Sequence, residues 1–282
     1  TFCVTTIARG EGRSRHAADI VREIRTLHER DGYQEAVLTG VHLGSYGHDL
    51  GSPHGLRALV EMILRETHIP RVRLSSLEPW DLTPDFFALW QDPRLCRHLH
   101  LPLQSGSDKI LRRMARRTTQ AEFAALVESA RAVVADVKLT SDVIVGFPGE
   151  TDADFEDSAA FIAQMNFAGL HVFPYSIRKG TPAARMRVHV REEGKRDRAA
   201  RLLTHAGEQE ARYGQAFVGQ TRPVLWEHIA GAAQDGYLNV GYTDNYIRVR
   251  CVFPRVLTNT ISDARLEAYD TEQAEMRVSI DG

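Results

Sequence analysis

Apolar residues recur at three- and four-residue steps at Ala17, Ile20, Val21, Ile24 and Leu27, which predicts an amphipathic helix. The run Ala36-Val37-Leu38, closed by Gly40, predicts a strand after it. The order repeats: a helix near 55–67, a strand at Val72 to Ser75, a short helix after Pro84, a strand at His98 to Leu103 and a longer helix over 119–135. The segment Lys138 to Val145 reads as the next strand. Thr151 with Asp154 three residues on is an acidic form of the capping box, and it opens a helix whose buried stripe is Phe155, Ala159, Ile162 and Met165. A strand at Gly169 to Tyr175 and a polar helix near 191–215 complete about six alternating units, the pattern of parallel strands joined by crossover helices. The fold class is α/β, a complete or partial (βα)-barrel over 1–216.

Past residue 216 the period shortens. Thr221 to Trp226, Tyr237 to Gly241, Tyr246 to Phe253 and weaker runs near Leu257 and Arg277 predict a separate all-β unit over 217–282, an OB-like barrel of a kind that commonly binds RNA. A linker is expected near Ala216.

In a barrel of βα units the site lies at the C-terminal ends of the strands. Four such ends here are rich in Gly, Ser, Gln or acidic residues: Thr39 to Gly47, Ser75 to Pro79, Leu103 to Ser107, and Asp142 to Glu150. Glycine lets backbone approach a ligand, and Gln, Ser and Asp hydrogen-bond hydroxyl, amino and carboxylate groups. Each end taken singly is also an ordinary turn; four at one barrel mouth point to a small polar ligand.

Composition narrows the class without choosing the function. Hydrophobic residues make up 43% and charged residues 26% of the 282, ordinary globular values. No apolar run approaches membrane-spanning length. The net charge of -2 gives no global basic field, so a nucleic acid partner requires a local patch. One candidate is 178–201, with nine Lys or Arg, Arg178 and Lys179 among them, against three acids. Arg112, Arg113, Arg116 and Arg117 form another. A solvated helix face explains such runs more often than RNA does, although phosphate contacts need such clusters. In the C-terminal unit Tyr237, Tyr242, Asn245, Tyr246, Arg248 and Arg250 surround one hairpin, where aromatic and guanidinium planes suit unpaired bases, although Tyr and Arg are also ordinary strand residues. Cys3, Cys96 and Cys251 are odd in number and far apart, which argues against a disulfide framework and for the cytoplasm. Cys96 and Cys251 read as small buried hydrophobes. His42, His98 and His100 read as structural.

The residues themselves carry a resemblance. TFCVTTIARGEGRSR resembles the stretch after the cluster motif of radical S-adenosylmethionine methylthiotransferases, in which CxxxCxxC holds a 4Fe-4S cluster. LPLQSGSDKILRRMARR, SDVIVGFPGETDADF and FPYSIRKGTPAARM resemble later stretches of that family, and GYTDNYIRVR resembles its RNA-binding TRAM domain. SSLEP, the HLGSYG turn and GYTDNY look closest to the branch acting on threonylcarbamoyladenosine beside the tRNA anticodon. Sister branches act on isopentenyladenosine in tRNA or on an aspartate of a ribosomal protein, and a catalytically dead RNA-binding fragment is a further reading.

The resemblance implies a 4Fe-4S cluster and S-adenosylmethionine as cofactors, with Cys3 as the third cluster ligand and the first two upstream of Thr1. On that reading the sequence is a fragment, inactive by itself. It implies Gly40, Gly44 and Ser45 at the methionine end of the cofactor, Glu78, Gln104 and Ser105 at its polar groups, Asp142 at the ribose, and the Ile144 to Phe147 run, with Gly146, beside the adenine. It implies a tRNA anticodon stem-loop as partner, contacted by Arg112, Arg113, Arg178, Lys179, Tyr242, Asn245, Tyr246 and Arg248. It also implies an electron donor such as flavodoxin or ferredoxin, a sulfur source, and no membrane.

Overall fold

The computed structural model describes residues 1–52 and 55–280. Five parallel strands follow one another with helices between them: β1 (Glu35–Leu38), β2 (Arg71–Leu74), β3 (His98–His100), β4 (Lys138–Val145) and β5 (Leu170–Pro174). The helices are α1 (Thr5–Arg9), α2 (Ala17–Glu29), α3 (Gly55–Glu66), α4 (Asp108–Met114), α5 (Gln120–Val133), α6 (Asp152–Met165) and α7 (Glu192–Gln215). The periodic helices appear where the spacing put them: α2 buries Val21 and Ile24 and α6 buries Phe155, Ile162 and Met165 from the predicted stripes, while α3 buries Leu59, Val60 and Ile63. Thr151 and Asp154 close a reciprocal capping box, as do Thr119 and Glu122 on α5.

The segment after Pro84 is a 3-10 helix, Pro84–Gln91, rather than an α-helix. The α/β part has five strands, fewer than the six units expected, and its sheet is pinched between β2 and β3. Only Val72 pairs across, with 94–96. The cause is local: the Arg97 N–H donates to Asp244 O and the His98 N–H to Cys96 O, so the start of β3 has no donors left for β2.

Past α7 a closed five-stranded barrel forms in the order β10-β8-β7-β6-β9. Its strands are β6 (Thr221–Ala233), β7 (Gly236–Thr243), β8 (Arg248–Phe253), β9 (Ile261–Asp270) and β10 (Glu275–Ser279). The β6–β7 hairpin runs on past the closed part, since β6 pairs with β9 only over Thr221 to Leu225 and with β7 as far as Ala233. Leu257, expected near a strand, is a buried turn residue. Its core of Val224, Trp226, Val249, Leu266 and Met276 is separate from the α/β core.

The β7–β8 turn plugs the bottom of the α/β sheet. The end of β7 and the turn after it meet the lower ends of three strands: Arg71, first in β2, donates to the carbonyls of Tyr242 and Thr243, the Arg97 N–H just before β3 donates to Asp244 O, and Lys138, first in β4, donates to the carbonyl of Tyr246. The Tyr246 ring stacks on His98 (4.4 Å) and Tyr242 (4.6 Å), with the Arg73 guanidinium 4.3 Å from its centre. Asn245 is fully buried and its amide is spent on Tyr213 and Thr243. Near Ala216, Phe217 is buried and Arg222 reaches back to Asp136. Ala216 and residues 218–220 are exposed, so the connection is a surface segment anchored by Phe217 and Arg222.

Burial and the nearby Lys138 and Arg73 charges hold His98 well below the usual imidazole value. A neutral imidazole that charges only on unfolding makes the native state lose ground as pH falls through the unfolded value near 6.5. The expected result is a melting temperature that drops between pH 7.5 and 5.5, with a stability slope of up to about 1.4 kcal/mol per pH unit from this residue. His98→Gln should flatten that part of the profile; an identical profile would remove His98 as its source.

Candidate active site

Parallel strands bring all five C-terminal ends to one face, opposite the β7–β8 plug. The loops there hold one another. Leu77 N–H donates to His100 O and Tyr175 N–H to Val145 O. The Arg116 guanidinium reaches Glu78 and Pro102 O and lies 4.3 Å from the Trp80 ring centre. His42 pairs with Asp81 at 2.6 Å, and this hydrogen bond raises its pKa. The chain start is seated on the same mouth. Thr1 donates from its amino group to Met114 O and accepts from Ala183 N–H, while the Phe2 ring meets Phe147 edge-on. This places Cys3 at the mouth, exposed, its sulfur accepting from Thr5 N–H at 3.4 Å.

Most of the glycines and serines read as ligand contacts have local work to do. A side chain at Gly44 would collide with the Asp81 carboxylate, so the glycine makes room for Asp81. The Ser45 hydroxyl donates to His42 O. Ser105 is 1% exposed and accepts from Ser107 N–H inside its own turn. Gly146 holds a left-handed φ of 71°, lies under the Lys195 side chain, and donates its N–H to Glu150. Glu78 is taken by Arg116. Gly40 is exposed in the turn after β1.

Gln104 and Asp142 differ. They sit side by side through a bridge between Gln104 and Val143, and the Gln104 side-chain amide has no hydrogen-bond partner among the described residues. Asp142 opens onto the barrel interior beside Ile144 and the half-exposed Phe173. Burial pushes its carboxyl up, but hydrogen bonds and charge from His100 and His171 outweigh burial and hold it below the usual carboxylate range. His100, read as structural, lies with its Nε2 3.2 Å from the Asp142 carboxylate. A polar pair next to apolar surface fits an adenosyl group, with hydroxyls on one side and a base on the other.

Cys3 alone of the three cysteines fits a cluster. Burial pushes the thiols of Cys96 and Cys251 up to about 11, so neither is poised to ligate iron as a thiolate.

The basic residues sort by position. Arg112, Arg117, Arg178, Lys179, Arg185 and Arg187 are exposed on segments following β3 and β5, with no acidic partner among the described residues. Arg113 braces the mouth, donating to Pro148 O. Further along the same run, Lys195 and Arg198 are buried and Arg201 is paired with Glu156. Arg248 stays exposed beside Glu275. Asn245 and Tyr246, expected on RNA, are instead docking residues of the barrel plug, and Tyr242 shares that stack. For Tyr246 the sequence offered no sign of this, because His98, Arg73 and Lys138, which it packs on, lie more than 100 residues away.

The parallel βα-sheet carries an exposed cysteine, an aspartate and a glutamine at the C-terminal face of its strands. The Radical SAM superfamily profile matches residues 1–162, and the chain belongs to that superfamily. It is 38% identical over 250 residues to the threonylcarbamoyladenosine tRNA methylthiotransferase MtaB of Bacillus subtilis, covering 88% of this chain and 55% of that protein. It is 37% identical over 231 residues to the tRNA-2-methylthio-N(6)-dimethylallyladenosine synthase of Acetivibrio thermocellus, covering 82% of this chain and 48% of that one. The chain thus spans about half the length of the curated relatives it matches. Among solved structures, coproporphyrinogen III oxidase (HemN) of Escherichia coli shares the fold, with a TM-score of 0.52 at 17% identity over 74% of this chain and 49% of that one. The superfamily implies a 4Fe-4S cluster and S-adenosylmethionine. No described helix is long and apolar enough to cross a membrane.

Proposed function

We propose that this chain forms the cofactor-binding core and C-terminal barrel of a tRNA methylthiotransferase that modifies N6-threonylcarbamoyladenosine next to the anticodon. The observation that carries this reading is the 38% identity to the Bacillus subtilis enzyme across nearly all of the chain. When bound, the cluster and S-adenosylmethionine supply a carbon radical that attacks an unreactive C–H bond.

The chain's own residues position and shield. Cys3 would be one cluster ligand; Asp142 would hold the ribose and Gln104 the polar groups of S-adenosylmethionine, with Ile144 along the base, whereas Phe147, expected beside the adenine, is fully buried against Phe2 and Tyr175 and has no surface to offer it. Gly40 stays a candidate backbone contact at the methionine end. Holding the reacting carbon near the target bond is the larger part of such catalysis. The unpaired cations Arg112, Arg117, Arg178, Lys179, Arg185 and Arg187 ring the mouth where an RNA phosphate backbone would pass, and Arg248 offers a further contact on the C-terminal barrel. An electron donor such as flavodoxin or ferredoxin and a sulfur source complete the partner set.

The test is nucleoside mass spectrometry of tRNA from a host lacking its own enzyme and expressing the full-length protein. A 2-methylthio group appearing on threonylcarbamoyladenosine is the expected result. The group appearing only on dimethylallyladenosine moves the assignment to that branch, which the Acetivibrio relative favours. An unmodified tRNA pool with a methylthiolated ribosomal protein removes tRNA as the substrate.

A further inference from the structure

The lumen wall carries a chain of polar side chains crossing three strands. Asp142 and His171 are register partners on β4 and β5. Thr140, two residues before Asp142 and so on the same face, is the register partner of His100 on β3. His171 Nδ1 lies 2.9 Å from Asp142 Oδ1, and His100 Nε2 lies 3.2 Å from Oδ2. Each carboxylate oxygen has its own imidazole.

The position of the proton on His100 follows from its neighbours. His98 Nε2 is 2.9 Å from Thr140 Oγ1, and His98 Nδ1 is buried without a partner. An unpartnered buried N–H is the costlier orphan, so the His98 proton belongs on Nε2, donated to Thr140. The Thr140 hydroxyl then donates to His100 Nδ1, also at 2.9 Å. That leaves the His100 proton on Nε2, aimed at Asp142.

We infer that His100 and His171 are positioning residues that clamp the Asp142 carboxylate, one oxygen each, so that its remaining lone pairs face the vicinal hydroxyls of an adenosyl ribose. The inference rests on the assignment of the ribose to Asp142 made above. A carboxylate offers about four acceptor sites, and the two imidazoles use two. Fixing its plane in advance removes the ordering cost from binding.

The experiment measures binding of S-adenosylhomocysteine, and of its 2′,3′-dideoxy analogue, to the full-length protein by calorimetry. An Asn amide nitrogen stands close to where histidine carries Nδ1, and a Gln amide nitrogen close to Nε2. His171→Ala and His100→Ala should each weaken the diol ligand roughly 10-fold, the size usual for a partner that orients a binding group. His171→Asn and His100→Gln should restore much of the loss, and His171→Gln and His100→Asn should not. Binding of the dideoxy analogue should be unchanged throughout. A merely structural role would give no such atom-by-atom pattern.

If Asp142→Ala keeps the preference for the diol, the ribose assignment itself is overturned. If Asp142→Ala loses that preference while both His→Ala variants keep it, the ribose assignment stands and the clamp is overturned. The trio is also a donor set for a cation, its ligand atoms lying within 4.8 Å of one another. A chelator that lowers wild-type affinity to the His171→Ala value would show a metal there and would likewise overturn the clamp.

Discussion

Replacing Glu35 by Ala should destabilise the chain by about 3–5 kcal/mol, the cost of stripping the partner from a buried charge. Glu35 is 9% exposed at its side chain and accepts from Arg71 at 3.0 Å and from Arg73 at 2.9 Å. Arg71 is equally hidden and spends its remaining donors on the carbonyls of Tyr242 and Thr243. Removing the carboxylate leaves two guanidinium groups in a low-dielectric pocket, with nothing nearby to neutralise them. The loss should also loosen the β7–β8 plug, because Arg71 is then free to turn away from its carbonyls. Urea unfolding followed by tryptophan fluorescence measures it. The exposed pair Arg201–Glu156 is the internal control, with both side chains 57% exposed; its Glu156→Ala variant should cost under about 1 kcal/mol. A Glu35→Ala loss no larger than the control would mean that water reaches the pocket and that the pair does not hold the two units together.

Much of this fold is legible in the sequence because its signals are local. The spacing of Val21, Ile24 and Leu27 and the Thr151–Asp154 box each fix a helix within a few residues, and the structure places both there. Helix α4 escaped the reading. It is seven residues long, preceded by the positive φ of Gln104, and carries two arginines in its last turn, which hide its apolar Ile110, Leu111 and Met114. The fate of GYTDNY was out of reach for a different reason. Tyr246 on a strand turn looks the same whether it awaits a nucleobase or packs on His98, and only the three-dimensional return of residue 246 to residue 98 decides between them.

The candidate site was legible to a similar depth. Strand-end position marked the stretches that contain Gln104 and Asp142, the resemblance singled out those two residues, and the structure sets them side by side. The same rule also marked Gly44, Ser45 and Ser105, whose roles are set by contacts with Asp81, His42 and Ser107. Turn chemistry and ligand chemistry use the same residue types, so composition at a strand end cannot separate them. His171 went unmarked because only its register brings it beside the Asp142 carboxylate.

In the full-length protein made without oxygen, Cys3→Ala should lose its 4Fe-4S cluster and, with it, reductive cleavage of S-adenosylmethionine down to the level of cluster-free protein. Cys96→Ala and Cys251→Ala should retain both. The separation follows from what surrounds each sulfur. Cys3 is exposed at the mouth, on a segment tied by Thr1 to Met114 and Ala183, so a deprotonated sulfur there is solvated and reachable by iron. Cys96 is 3% exposed, its thiol donates toward Glu35 at 3.7 Å, and burial pushes it up to about 11; iron would have to displace packed side chains to reach it. Cys251 is buried on β8 in the core of the far barrel, its thiol likewise raised by burial. Iron content, the visible absorption of the cluster and release of 5′-deoxyadenosine are three independent readings. Loss of one thiolate ligand should lower all three together. Wild-type iron content in Cys3→Ala would exclude Cys3 as a ligand, and wild-type iron without cofactor cleavage would move its role from holding the cluster to shaping the mouth around it.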